Sequence, residues 1–562
     1  MRILLLVFTL TFTLIWCCGC EEERGASDDL VEGQRGRDPS SSADQSPPFA
    51  GGESSLSGMD LSQDMSSGGD AMNPSGGETS MGGAMGGAMG GAGGALGGSM
   101  IGGDQNDPPA PPSTGFASAM TRWAVPDLGS DEGFFAAWYV QSPWWYTTMD
   151  LTGDGVPDLI QSAGDAERPG EVWRDAQGAY WKVWPGQSDG FASTSVRWSV
   201  PESGLDDGFF YTNWSNGARW FATRDLNGDG HPDLIQSADS DREGGYVWGD
   251  AQGAYWKVWL GSNEGFSDEM SRWSVPDSGL DDGFFSLNWA DGVRWFSTMD
   301  LTGDGRPDLV QTADPNRSGG YVLSDTEGPY WRVWPGEESG FAQNFIRWTV
   351  PASGLDDGFF YTAWTQGERC FTVMDLTGDG MVDLVQTADV ERSGGYVWRD
   401  ERGSYWKMWR GTANGFSQEV TRWAVPESGL DDGFFAAWWT LEEQSFATMD
   451  VTGDGRPDLI QTADPDQRGG YVWRDPTGSH WLVWPGGDEG FTETALRWPV
   501  PESGLDDGFF TLSWVNGERW FTTLDLNGDR RPDLAQTAMS DPSGGYVWRD
   551  EQGAFWRVWL NR

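Results

Sequence analysis

Between Gly115 and Arg562 apolar and polar positions alternate in short runs, broken by clusters of glycine, asparagine and aspartate. A period of two over four to eight residues predicts half-buried β-strands. One stretch shows the grammar. "VRWSVP" is a short alternating run; "FFYTNW", "SNG" and "ARWFATRD" read as a hairpin across a glycine turn; "DLIQSAD" is another strand; "GYVWGD", "AQG" and "AYWKVW" form a second hairpin. No segment carries a convincing helical period. The expectation is all-β, with four to six short antiparallel strands in each unit.

The pattern recurs every 75 residues without slipping register. Trp123, Trp198, Trp273, Trp348, Trp423 and Trp498 mark one position, and Trp181, Trp256, Trp331, Trp406, Trp481 and Trp556 another. Such a period means a solenoid, a propeller or a string of beads. Beads need linkers, and none separate the copies. A lone sheet of this size cannot bury both faces, whereas a closed ring of blades buries them and leaves few edges. The chain ends in "FWRVWLNR", without the "GF…RW.VP" piece that follows this strand elsewhere, and the repeat region opens with that piece, Gly115–Pro126. These features predict a six-bladed β-propeller over 115–562, with the N-terminal strand completing the last blade.

Each repeat contains a glycine-punctuated acidic segment. In the first, "DLTGDGVPDL", oxygen-bearing side chains stand at positions 1, 3, 5 and 9: Asp150, Thr152, Asp154 and Asp158. The equivalents are Asp225, Asn227, Asp229 and Asp233; Asp300, Thr302, Asp304 and Asp308; Asp375, Thr377, Asp379 and Asp383; Asp450, Thr452, Asp454 and Asp458; and Asp525, Asn527, Asp529 and Asp533. Calcium takes six to eight oxygens in a flexible cage. These side chains and a carbonyl at position 7 suit it, and the glycines at 4 and 6 permit the tight wrap. The missing helices and missing Glu at position 12 exclude an EF-hand. "DLNGDGHPDLIQSA" resembles the FG-GAP/VCBS repeats of integrin-α-like propellers. That resemblance implies a propeller with calcium in the loops, although each repeat here is longer than that family's usual blade. Up to six ions are expected. Three carboxylates per loop point to weak binding, about 10⁻⁴–10⁻³ M as in extracellular modules. The sixth site, at Asp525, should be weakest or empty, because Arg530 replaces the glycine at position 6.

Composition adds the setting. With 86 acidic against 36 basic residues the formal net charge is -50, which disfavours nucleic acid and anionic membrane as partners. Two histidines leave little room for His-based catalysis or His-ligated metal. "MRILLLVFTLTFTLIWCCGC" has a basic start, an apolar run too short to span comfortably, and a small residue before a cysteine. It resembles a bacterial lipoprotein signal over residues 1–20, which implies export, acylation of Cys20 and anchorage at the outer membrane or cell surface; an ordinary secretory signal also implies export. Residues 21–114 are rich in Gly, Ser, Asp, Met and Pro and predict a disordered tether, spanning roughly 50–60 Å by coil statistics. Its methionines read as low complexity rather than a copper site. Cys370, alone after Cys20 and standing where four other copies carry Trp, reads as a buried substitution.

Most of the 36 tryptophans are expected to pack between blades, since Trp181 and Trp184 point to opposite faces of a strand. The positions left as sugar-stacking candidates are Tyr139, Trp214, Trp289, Trp364, Trp439 and Trp514. The recurring "SGLDDGFF", represented by Asp206 and Asp207 with Asp131 and Glu132 in the first copy, has three readings: a second cation site, a partner for the Arg beside Trp198, or a solvated turn. Repetition argues against a glycosidase pair. His231 should matter only through its carbonyl, and His480, in place of Tyr, should be a packed ring. The leading reading is a monomeric, non-enzymatic surface protein that binds an extracellular protein or glycan. The alternative is a multivalent lectin. An enzyme acting on polysaccharide is the weakest reading, since neither "QSPWW" nor Glu442 and Glu443 amounts to a catalytic set.

Overall fold

The computed structural model describes residues 115–126, 138–141, 144–163, 172–201, 213–216, 219–237, 247–276, 289–291, 294–312, 322–352, 363–366, 369–387, 397–426, 439–441, 444–462, 472–501, 514–516, 519–538 and 547–562. They belong to one of the chain's two compact units; the other, Cys18–Thr79, lies wholly outside them. The expected signal, Cys20 and the whole of the tether, 21–114, also fall outside. Among the described residues no helix is long and apolar enough to cross a membrane.

Six equivalent β-sheets form the repeat region. In the second, strands Asn213–Asn216, Arg219–Arg224, Asp233–Gln236, Gly253–Trp259 and Ser271–Ser274 lie in that order, each antiparallel to the next. Both expected hairpins are present: Asn216 faces Arg219 across one turn, and Asp250 faces Gly253 across the other. The seven-residue strand Gly253–Trp259 is shared. Its last three residues pair with Asp233–Gln236, and its first three pair with Trp248–Asp250. The second hairpin thus extends the sheet beyond the reach of Asp233–Gln236.

Alternation on this strand fixes which blade each side chain meets. Trp256 joins a core with Trp273, Phe296, Leu309 and Phe341, whereas Trp259 joins Trp181, Trp198 and Phe221. The two tryptophans therefore pack against the following and the preceding blade, as the sequence predicts. The contact repeats as a clamp. Phe266 stands perpendicular to Trp181 and Trp198, at 5.3 and 6.1 Å between ring centroids, and Phe341 does the same to Trp256 and Trp273. Edge-to-face pairs of this kind add about 0.5–1.5 kcal/mol beyond burial.

The ring closes as expected. Thr121–Ala124 pairs antiparallel with Gly553–Trp559, Trp123 opposite Trp556. Phe116 bridges Asn561 and clamps Trp481 and Trp498, while Phe191 clamps Trp556 and Trp123. Every blade thus receives its phenylalanine from the next, and the N-terminus supplies Phe116, the one the fifth blade would otherwise lack. The chain is an all-β, six-bladed propeller.

Candidate metal loops and the grooves between blades

The acidic loops link the second and third strands of each sheet. Their carboxylates first hold the loop itself together. Asp150 Oδ1 accepts N–H bonds from Gly153 and Asp154, and Oδ2 accepts one from Gly155. Asp154 Oδ1 accepts from Val156. Asp158, fully buried, accepts from Leu151 and Thr152 on Oδ2 and from Gly186 on Oδ1. The same bonds recur at Asp225 and Asp233 and in the later copies.

Burial opposes the charge on position 9. It pushes Asp158, Asp308 and Asp383 up to about 6, and Asp233, Asp458 and Asp533 to about 7, against the pull of backbone N–H donors. The donor set fits a hard cation in kind: all oxygens, with lone pairs left on Asp150 Oδ2, Asp154 Oδ2 and Asp158 Oδ1, and a buried Thr152 hydroxyl without a hydrogen-bond partner. Among the described residues no three acidic side chains yet converge at metal-ligand spacing. The carboxylates at positions 1 and 9 are turned to the backbone first.

The loops touch one another around the ring. The glycine at position 4 in each loop lies under the position-7 side chain of the next. A β-carbon on Gly153 would fall 2.5 Å from His231 Nδ1; Gly228 lies under Arg306, Gly303 under Met381, Gly378 under Arg456 and Gly453 under Arg531. Gly528 meets Gly155 and Val156, closing the circle. Arg306 Nε also donates to Asn227 O at 3.0 Å. The expectation that His231 acts only through its carbonyl is thus corrected: its imidazole is the wedge between the first two loops. The sixth loop keeps its shape, since Arg530 N donates to Asp525 Oδ2 as Gly155 N does to Asp150, with Arg530 at φ 68°.

The recurring arginine holds an aspartate of the second hairpin. Arg197 grips Asp175 with Nε at 2.9 Å and Nη2 at 3.1 Å, and lies over the Tyr180 ring. Arg122, Arg272, Arg347, Arg422 and Arg497 hold Asp550, Asp250, Asp325, Asp400 and Asp475 in the same way. Asp206, Asp207, Asp131 and Glu132 lie outside the described residues, as do Glu442 and Glu443. Tyr139, Trp214, Trp289, Trp364, Trp439 and Trp514 are placed on strands, but their side chains lie outside the description, as does that of Cys370. His480 is a buried ring, as expected.

Sequence reasoning missed a third feature, the grooves between blades. One of about 500 Å³ lies between the first and second blades, and one of about 480 Å³ between the fifth and sixth. Both use the same repeat positions. A cation stands over a tryptophan beside each: Lys257 Nζ lies 3.3 Å from the Trp248 ring and the Arg557 guanidinium 3.3 Å from Trp548. The lone signal in the sequence is the recurrence of Lys or Arg between the tryptophans of "YWKVW", broken in the fifth copy by Leu482.

Known proteins resemble the chain only loosely. No family model matches it, and no curated protein does. Among solved structures it is similar to an Agrocybe aegerita lectin described as recognising non-reducing terminal N-acetylglucosamine, at 17% identity and a TM-score of 0.38, over 76% of this chain and 82% of that one. It is also similar to BBS1N in complex with ARL6DN, at 10% identity and a TM-score of 0.24, over 76% and 94%. A third is the polysaccharide lyase Uly1, at 10% identity and a TM-score of 0.25, over 80% and 89%. The propeller assignment rests on the chain's own strand pairing and closure.

Proposed function

We propose that the protein is a non-enzymatic binding propeller, tethered at the cell surface through lipid on Cys20 and stiffened by calcium in its loops. The observation that carries this reading is the closed circle of six equivalent acidic loops. A chain that repeats one chemistry six times is built for stable, multivalent presentation rather than for a singular reaction centre. Calcium bound there would supply positive charge where burial disfavours the bare carboxylates. Asp150, Thr152, Asp154 and Asp158 and their equivalents would hold it, as the FG-GAP/VCBS likeness implies. Leu151, Gly186 and the other N–H donors would keep the loop in place.

The test is thermal unfolding of the mature chain with calcium titrated against a chelator, and magnesium as the control. A ligand that binds only the folded state stabilises by RT ln(1 + [L]/Kd) per site. A calcium-specific rise of many degrees supports the reading, and an unmoved midpoint removes calcium from it.

A second reading, the multivalent lectin, has its own support in grooves that recur at equivalent positions. Weak sites repeated around one ring gain by avidity. A glycan array in calcium separates the two: captured glycans favour the lectin, and a blank array leaves an extracellular protein as the partner.

A further inference from the structure

The two grooves occupy equivalent places and differ in chemistry. Between the first and second blades Ser199, Lys257, Asp268 and Met270 line the groove; at the seam, Pro499, Arg557, Ser118 and Met120 take those positions. Three of these differences act in one direction. Ser118 removes the carboxylate that Asp268 brings. Arg557 exchanges an ammonium for a planar guanidinium, the better fit to a carboxylate or sulfate. Its Nε is buried without a hydrogen-bond partner, beside the Trp548 ring.

The third difference frees a neighbour. In the first blade Arg197 donates Nη1 to Ser199 Oγ at 2.8 Å, and in the second Arg272 donates to Ser274 Oγ at 3.0 Å. Pro499 has no hydroxyl to offer. Arg497 keeps Asp475 and Gly478 through Nε and Nη2, and its Nη1 has no partner among the described residues. Arg497 also lines the seam groove, whereas Arg197 does not line its own. Its side chain is 30% exposed, against 23% for Arg197. A chain of net charge -50 thus presents two guanidiniums and, among the described residues, no carboxylate along this groove.

We propose that the seam groove binds an oxyanion group, carboxylate or sulfate, carried by a saccharide. Arg497 Nη1 and Arg557 take the anion, Ser118 faces the sugar hydroxyls, and Met120 and the edge of Trp559 meet its apolar face. The volume suits a small ligand, within the range of about 300–1,000 Å³. The inference rests on the binding-propeller reading and gives it a ligand chemistry and one site.

Isothermal titration of the mature full-length chain tests it, with three oligosaccharides of equal length: a uronate polymer, a sulfated one and a neutral one. The expected result is binding of one or both acidic ligands, weakened by salt, with no heat from the neutral one. Which acidic ligand binds identifies the group. Ser118→Asp restores the carboxylate of the first groove on an exposed residue and should weaken binding at least tenfold. Arg557→Leu places there the residue that the fifth blade carries at Leu482 and should do the same. Pro499→Ser returns a hydroxyl to Arg497 and should weaken it less. Melting temperatures of Ser118→Asp and Arg557→Leu should stay close to the parent's. Equal binding of neutral and acidic ligands, or no binding of either, overturns the proposal. Acidic binding that Ser118→Asp and Arg557→Leu leave unchanged also overturns it, while leaving the general reading intact. The calcium shift judges that reading separately.

Discussion

A single residue separates the sixth loop from the others. At position 6, Gly155, Gly230, Gly305, Gly380 and Gly455 hold φ between 85° and 88°, and a β-carbon there would touch nothing within 4 Å. Arg530 therefore fits by volume and is strained only in its backbone, by about 1–2 kcal/mol for a left-handed residue. Arg530→Gly should raise stability by about 1 kcal/mol, read as a shift in denaturant midpoint with unchanged slope. The buried aspartates at position 9 set a pH dependence. Their folded pKa values, about 6 to 7, lie above the ordinary value of 3.8. The folded state then binds protons more tightly, so this contribution is full below about 4 and is lost as pH rises through 6 to 7. With chelator present, the melting temperature should fall between pH 4 and 7.5. A flat or rising profile would contradict the burial of these carboxyls. The oxygen spacing in these loops was legible in the sequence. That positions 1 and 9 serve backbone N–H groups was not, because it depends on how the loop folds back on its own N–H groups and, for Asp158, on Gly186, which arrives from 28 residues further along the chain.

At the scale of the element, the hairpin of Trp173–Asp175 and Gly178–Trp184 carries both surface devices of a blade. Asp175 takes the arginine of the outermost strand, and Trp173 takes Lys182 at 3.4 Å. The sequence did not point to Asp175, because the pair depends on antiparallel register: Lys182 faces Arg197 and Tyr180 faces Ser199, which swings Arg197 over Tyr180 and onto Asp175. These pairs sit at the surface and should be worth under about 1 kcal/mol each. The Trp pairs are fully buried. Arg272→Gln should therefore cost less than about 1 kcal/mol, while Trp256→Ala should cost about 3–5 kcal/mol, both by chemical denaturation. Comparable costs would mean that the outer strand is held by its ion pairs rather than by the tryptophan clamp.

The whole molecule depends on its seam. Thr121–Ala124 covers the edge of Gly553–Trp559, Arg122 grips Asp550 at 2.8 Å, and Ala117 N donates to Leu560 O. Removing residues 115–126 from the mature chain would uncover that edge and leave Trp481 and Trp498 without Phe116. The expected outcome is a lower melting temperature and concentration-dependent association in size-exclusion chromatography, since an open edge pairs with other chains. A shortened chain that stays monomeric and equally stable would show that the seam strand is dispensable. By itself the sequence determined the strands, the 75-residue unit, the closed ring and the origin of its closing strand, because alternation and repetition are local and additive signals. Only the tertiary structure decided which charges meet, that six loops form one circle, and that the described lining of the seam groove holds two arginines and no carboxylate. The charge pairs depend on strand register within a blade, as between Arg197 and Asp175, 22 positions apart, and the circle and the groove on neighbouring blades brought together by the rotation from one to the next, which one repeat read alone does not contain.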